Sequence, residues 1–518
     1  MVSLRLSAAL GLGLLAVVKA AAAPVSGTVF EDRNANGLHD VGELGLAGVA
    51  VSDGTAVALS DAAGHYQLAA ADGAMIFVIK PRDWHPAVNL QQLPQFYRRR
   101  EPAAAAAVDF PLIAGAEPDR FRALIFTDPQ PASGKEVGYL ERTLVGRLAG
   151  TKDYAFGVTL GDVVYDRHDL FAPLNAVMGR IGVPWYNLNG NHDLDLDTPD
   201  DRGASASFEA VYGPSTYAFH YGRVLFVALN DVRFMGGPRY VGGLRADQLT
   251  FLENLLRVTP RDEPVVLMMH IPWFTPSVSS GFYPNPSNAE TFRLADRARL
   301  FALLQNRPHN FWLSGHTHYQ RHVFYGTADG WKGASPLHEY NVAAACGGFW
   351  GGPPDASGIP VATMWDGTPH GYAVLIVEGD KISADYRAAR EPASHQIGLH
   401  APEAVKARLG YVSYFANVFN GHDSWKVESR LDSRTFNAMK HVLEWDPSYA
   451  QRYLAQDAAT APLTEKRLPD PTVCYHLWRA YLPADLSAGE HTIEVRATDT
   501  EGGVFTATQT IKVVGPEH

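Results

Sequence analysis

Two cysteines in 518 residues, Cys346 and Cys474, are too few to staple a chain of this length. That excludes a disulfide framework; the two thiols either pair with each other in an oxidising compartment or sit apart in the interior. Basic charge is also scarce, with 44 Lys and Arg against 55 Asp and Glu and a formal net charge of -11. A nucleic-acid partner normally leaves a basic footprint, so that class is set aside. No polybasic run marks a membrane surface, and YRRRE at Tyr97 to Glu101 reads as a short solvated linker. Past the N-terminus no apolar run reaches the roughly 20 residues of a membrane span. Internal repeats are absent, and so is low complexity beyond a run of alanines.

The N-terminus itself has one early basic residue, Arg5, an apolar stretch from Leu6 to Val18, and small residues to Ala23. That order is a secretory signal with an Ala-x-Ala exit near Ala20 to Ala23, and it predicts a secreted or periplasmic protein with no span after cleavage. Lys19, close to the exit, leaves an uncleaved anchor as the alternative. The remainder, 46% hydrophobic and 19% charged overall, is an ordinary globular composition with room for about three domains.

Three blocks follow the signal at 1–23. From 24 to 118, short apolar runs such as VSGTVF, GHYQLAA and AMIFVIK are split by Gly and Asp, which predicts a small β-sandwich. From 119 to 376, apolar strands alternate with helical segments such as EVGYLERTLVGRLAG and ETFRLADRARLFALLQN, the pattern of an α/β layered domain. From 377 to 518, period-2 strands around a Gly-Gly turn predict a mainly β domain.

In the first block, DRNANGLHDVGE has the spacing of a calcium loop. Asp32, Asn34, Asn36, the Leu38 carbonyl, Asp40 and Glu43 fall on the ligand positions and Gly37 on the sharp turn. The competing reading is a solvated acidic turn between strands. The surrounding stretch resembles the calcium-dependent B-type repeats of bacterial surface adhesins, which implies a stabilising ion in a spacer.

The central block holds a second pattern. WYNLNGNHDLD, Trp185 to Asp195, ends an apolar run on two asparagines flanking a glycine, then a histidine and an aspartate. Asn-Gly favours a hairpin, yet no second strand follows in HDLDLDTPDDRG. The alternative is a buried strand whose tip carries polar groups for chemistry, and four other runs end in the same way. FRALIFTDPQ delivers Asp128 and Gln130; FGVTLGDVVYD delivers Asp162, with Asp166 just beyond; PVVLMMHIP delivers His270; NFWLSGHTH delivers His316 and His318. Open α/β sheets place their sites beyond the carboxyl ends of strands. Any one tip is explained by a cap or a satisfied core histidine, but five together are not.

The ordered set TDPQ, GDVVYD, GNHD, MMHIP and GHTH resembles the calcineurin-like metallophosphoesterases over about residues 120 to 375, and the flanks resemble members with dedicated N- and C-terminal domains. The resemblance implies an α/β fold with a central metallophosphoesterase β-sandwich flanked by helices, an N-terminal β-sandwich and a mainly β C-terminal domain. It implies one metal held by Asp128, Gln130, Asp162 and His318, and a second by Asp162, Asn191, His270 and His316. His192 stands beside them as general acid, with Asp193 expected to orient its ring. Two divalent ions about 3.5–4 Å apart clamp a phosphoryl group and acidify a shared water for in-line attack on a phosphomonoester or phosphodiester. Gln130 departs from the commoner histidine. An amide oxygen is a harder, weaker donor, so metal identity stays among manganese, iron and zinc, with magnesium disfavoured beside three histidines. The rival reading is a surface binding or spacer protein with a degenerate core. YNVAAACGGFWGGPPDASG and WDGTPHGY either line the pocket or are turn clusters, and substrate identity and oligomeric state are not legible.

Overall fold

A computed structural model describes residues 23–100, 107–274, 292–407, 411–460 and 462–515. The expected signal segment lies outside the described residues except for its last position, Ala23.

Residues 23–114 form two four-stranded sheets. One runs His65–Ala70, Ala23–Glu31, Phe110–Ala114, Trp84–His85; the other runs Val57–Leu59, Ala50–Ser52, Met75–Val78, Tyr97–Arg99. Alternation is visible in His65–Ala70, where Tyr66, Leu68 and Ala70 point inward and the residues between them outward.

The centre is a pair of facing sheets. The first has the order Trp185–Asn187, Gly157–Thr159, Arg120–Phe126, Gly371–Glu378, Lys381–Ala388. The second runs Tyr217–Tyr221, Val224–Ala228, Val265–Met268, Asn310–Ser314, Leu337–Asn341, Arg321–Tyr325. The site-bearing strands run parallel to one another within each sheet, and Gly157–Thr159, Trp185–Asn187 and Val265–Met268 are buried along their whole length, because both faces are covered. Arg120–Phe126 divides its side chains between two cores. Ala123 and Ile125 join the core shared with Phe226 and Val265, while Leu124 and Phe126 meet Tyr139, Leu140 and Leu174 from the segments Gly134–Leu140 and Phe171–Met178. Helices Ala246–Val258 and Leu294–Leu304 contribute Phe251, Leu252 and Leu300 to the first of these cores.

The last part is a second sandwich, of a four-stranded sheet (Ile397–His400, Ser413–Val418, Val473–Tyr481, Lys440–Trp445) and a five-stranded one (Ala404–Lys406, Val504–Val514, Gly489–Thr498, Lys426–Leu431, Asn437–Ala438). The seam expected at residue 376 falls inside the strand Gly371–Glu378. Lys381–Ala388 pairs with that strand along its full length, so the central sheet continues to Ala388. The hairpin turns at Gly379, in the left-handed region at φ 67.

The two cysteines are buried and unpaired, which resolves the earlier alternative in favour of separate thiols.

Candidate metal centre and active site

Because the inner strands are parallel, their carboxyl ends open on one side of the sandwich. Asp128 and Gln130 follow Arg120–Phe126; Asp162 follows Gly157–Thr159; Asn191 and His192 follow Trp185–Asn187. From the opposite sheet, His270 follows Val265–Met268, and His316 and His318 follow Asn310–Ser314. The hairpin suggested by Asn189-Gly190 does not form. Gly190 is extended at φ -112, and Asn191–Asp193 makes a single tight helical turn.

Six residues here have left-handed backbone without being glycine: Asp128 (φ 49), Gln130 (φ 39), Asp162 (φ 48), Asp166 (φ 52), His316 (φ 72) and His318 (φ 54). Such conformations cost roughly 1–3 kcal/mol each and persist where the surroundings over-determine them. The surroundings here are tight. A Cβ on Gly190 would lie 2.0 Å from the Asp162 nitrogen, and one on Gly315 would lie 1.8 Å from Thr127 Oγ1. The glycines of NGNHD and SGHTH are therefore set by the closeness of neighbouring loops.

All seven expected donors meet. Asp162 Oδ1 lies 3.3 Å from His270 Nε2 and accepts from the His192 backbone N–H at 2.8 Å; Asp162 Oδ2 accepts from Gln130 Nε2 at 2.5 Å. His270 Nε2 is 3.1 Å from Asn191 Oδ1 and 3.2 Å from His316 Nδ1. Asp128 Oδ2 accepts from the His316 backbone N–H at 2.9 Å and from the Thr127 hydroxyl at 2.5 Å. Its other oxygen, Oδ1, is buried without a hydrogen-bond partner, 3.6 Å from His318 Nε2.

Two contacts fix which ring nitrogens face inward. His270 Nδ1 meets the Leu160 carbonyl at 2.9 Å and His318 Nδ1 the Gly347 carbonyl at 2.5 Å. A carbonyl only accepts, so each Nδ1 donates and each Nε2 faces the interior, where it offers a lone pair whenever the ring is neutral. Carboxylate, amide and imidazole lone pairs thus converge on a buried volume with too few protons among them. That set fits a cation.

Electrostatics gives the same picture. Burial alone would push His270 down, but Asp162 beside it, with Asp128 further off, drives it up to about 10. Burial and the neighbouring His270 push His316 down to about 3. Asp128 is raised by burial, against the pull of His318 and His270. For Asp162, burial is outweighed by the His270 and His192 rings, which hold it below the usual carboxylate range. The cluster attracts positive charge, and a proton on His270 is the charge its own residues supply.

Three family models match the chain in order: the N terminal of calcineurin-like phosphoesterase over residues 33–114, calcineurin-like phosphoesterase over 121–320, and the C terminal of calcineurin-like phosphoesterase over 339–505. The chain belongs to the calcineurin-like phosphoesterases. Among solved structures it is similar to purple acid phosphatase PPD1 from yellow lupin (Lupinus luteus) seeds, with 14% identity, a TM-score of 0.38, and coverage of 71% of this chain and 67% of that one. No curated protein matches. Membership of this family implies phosphate-ester substrates and divalent metal ions.

One expectation about this phosphoesterase needs correction. Asp193 does not reach the His192 ring. Its carboxylate is fully buried and accepts backbone N–H groups of Val163 (3.0 Å), Val164 (3.1 Å) and Gly190 (2.8 Å), tying two site loops together. Asp166 contacts the ring instead, with Oδ1 3.0 Å from His192 Nδ1. The turn at Asp162 and the left-handed Asp166 fold GDVVYD back under the histidine, which sequence spacing does not reveal. Burial acts to lower His192, but Asp162 and then Asp166 raise it.

Other residues of the phosphoesterase site escaped the sequence reading. Asp231 ends a sixth apolar run, VLFVALND, at the same side of the sheet. Its carboxylate accepts the backbone N–H of His270 and of Ile271, each at 3.1 Å. Burial pushes it up to about 7. The glycine-rich stretch after Tyr340 lines the site: Cys346 Sγ sits 3.5 Å from Gln130 Oε1, and the Phe349 ring lies 4.4 Å from that of His318.

In the N-terminal sandwich the six expected calcium-loop residues share one turn. Asp32 accepts from the Asn36 and Gly37 N–H groups at 3.1 and 2.9 Å, Glu43 from those of Arg33 and Asp40 at 2.8 and 2.9 Å. Asn34 and Asn36 both donate to Asp40, at 2.9 and 2.8 Å, and Leu38 is exposed.

Proposed function

We propose that this phosphoesterase hydrolyses phosphomonoesters or phosphodiesters at a centre for two divalent transition-metal ions, one held by Asp128, Gln130, Asp162 and His318 and the other by Asp162, Asn191, His270 and His316. When bound, such a pair supplies Lewis acidity toward phosphoryl oxygens and makes water acidic enough to attack near neutral pH. The observation that carries the reading is the inward convergence of lone pairs, with Asp128 Oδ1 buried and unpartnered at its edge. Asp162 is central because each of its oxygens faces a different subset of donors. Three imidazoles among the donors favour manganese, iron or zinc.

His192 is the proton donor to the departing alkoxide. Asp166 engages Nδ1, which leaves Nε2 to carry the transferable proton, and the carboxylates nearby favour the charged ring. Asp193 serves by holding the loop that presents His192, through three backbone contacts. We further propose a secreted or periplasmic protein divided near residues 118 and 388, with a stabilising calcium in the loop from Asp32 to Glu43.

Metal content of purified protein, together with turnover of chromogenic mono- and diesters, tests the proposal. Asp162→Asn is expected to lose both ions, since an amide does not bridge cations as a carboxylate does. Two ions per chain retained by that variant would overturn the shared-ligand assignment.

A further inference from the structure

Aromatic rings line one side of the centre. The Tyr165 ring stacks on His192 at 4.2 Å with 21° between planes. Phe349 stands against Tyr165 at 5.9 Å and 87°, so the two rings form a corner. From Phe349 the rings continue to His318 at 4.4 Å and to Trp365 at 5.8 Å, and Trp365 stacks on His318 at 5.5 Å and 27°. Tyr165, Phe349 and Trp365 are all partly exposed.

The backbone beneath this corner is strained. Phe349 and Trp350 both have φ 56, a region that bulky residues rarely occupy. The loop is pressed inward: a Cβ on Gly347 would lie 1.6 Å from the Ala362 carbonyl oxygen. Trp350 uses its position to anchor the loop, buried at 1% exposure with its indole N–H donating to the Pro129 carbonyl at 2.9 Å. Phe349 has no such seat. Its ring rests at the site's edge against His318, Tyr165 and Trp365, and packing of the core does not require it there. An unusual conformation maintained for a partly exposed ring beside the donors is a sign of function.

The position of the corner decides what it touches. Under the proposed function, on which this inference rests, His192 faces the leaving group, and Tyr165 lies flat against His192. Whatever extends from the leaving oxygen passes the Tyr165–Phe349 corner. We propose that Tyr165 and Phe349 are specificity residues that select phosphate esters whose leaving group carries a planar aromatic ring. One ring offers a face and the other an edge, the two geometries aromatic pairs favour. A nucleobase and an aryl group share that chemistry.

Matched substrate pairs test this. Adenosine 5′-monophosphate and ribose 5-phosphate leave through the same kind of primary alkoxide and differ in the base; benzyl phosphate and cyclohexylmethyl phosphate differ in ring planarity. Corresponding methyl diesters form a second series. The ratio of kcat/KM within a pair is expected to be about 10–100 for the planar member, as base–aromatic stacking allows. A preference in the first pair alone identifies a nucleobase site, and a preference in both identifies a general ring site. Phe349→Gly removes the ring while suiting the left-handed backbone, and Tyr165→Leu removes the other wall; each is expected to bring the ratio toward 1. A ratio near 1 in the parent, or one kept by both variants, overturns the proposal. If no ester is turned over, the phosphoesterase reading fails separately. Calorimetric binding of the same four monoesters then reads the preference directly, and equal affinities within both pairs overturn it.

Discussion

At the scale of single residues, the donors were legible because a polar group at the end of an apolar run has few reasons to be there. Their partners were not legible, since which carboxylate touches His192 depends on a left-handed turn at Asp166. The swap of Asp193 for Asp166 changes what mutagenesis should do. His192→Ala is expected to keep its metals and lose about 10²–10⁴ in turnover, less on nitrophenyl esters, whose leaving group needs little protonation. Asp166→Ala should follow the same leaving-group pattern with a smaller loss, whereas Asp193→Ala should lower the melting temperature. An equal loss of turnover on good and poor leaving groups for His192→Ala would exclude the acid role. Gln130 offers a different test, because its amide nitrogen faces Asp162 and its oxygen faces Cys346. Turning the amide over brings the oxygen to the donors; left as it is, the side chain only steadies Asp162. A ligand role predicts that Gln130→His tightens zinc binding and that Gln130→Ala raises the metal needed for half-maximal activity. Superimposable titrations of apo-protein would leave the first ion to three protein groups and water.

At the scale of elements, period and turn chemistry carried the reading of the end domains, where strands such as His65–Ala70 alternate cleanly. The hairpin Gly371–Ala388 straddles the expected seam at 376, because nothing local distinguishes the last strand of one sheet from the first of the next. The run VLFVALND carries no local mark of a site strand, although its aspartate accepts from the His270 backbone N–H. Element-scale logic also applies to the loop from Asp32 to Glu43, where asparagine amides and backbone N–H groups already satisfy the carboxylates. A cation would have to displace the amide N–H groups from Asp40. Calcium is therefore expected to bind weakly, on the order of 10⁻⁴–10⁻³ M, and to raise the melting temperature of the full chain by mass action. Absence of a shift at millimolar calcium, or a shift that survives Asp32→Ala, would make the loop a self-satisfied turn.

At the scale of the whole molecule, the C-terminal sandwich is wired into the metal centre. Asp366 accepts from the Gln320 backbone N–H at 2.8 Å and meets His476 Nε2 at 3.0 Å, while the Trp365 N–H donates to the His318 carbonyl at 3.2 Å. No sequence pattern marks this junction, since Asp366 stands 46 positions from Gln320 and 110 from His476 and the residues are singly unremarkable. Four residues after Asp366 comes His370, 2% exposed, with Nδ1 3.3 Å from the Val361 carbonyl and Nε2 buried and unpartnered. Burial, reinforced by Arg390, pushes it down to about 4, against an ordinary value of 6.5 that the unfolded chain recovers. Below pH 6.5 the unfolded state therefore binds a proton that the folded state refuses, so stability rises with pH in this window and is lost as pH falls. The full contribution is present above about pH 6.5 and declines by roughly 1.4 kcal/mol per pH unit, levelling off near pH 4, for about 3 kcal/mol in all. Other groups titrate over the same range, so the test is a difference. Urea unfolding of the parent and of His370→Leu between pH 7 and pH 4.5 should give a shallower acid slope for the variant by close to one proton. Stability of the variant near pH 7 should fall only modestly, because the apolar side chain leaves no unsatisfied nitrogen behind and gives up one long contact, from Nδ1 to the Val361 carbonyl at 3.3 Å. Parallel slopes would show that His370 is already protonated in the folded protein, and that its buried nitrogen has a partner.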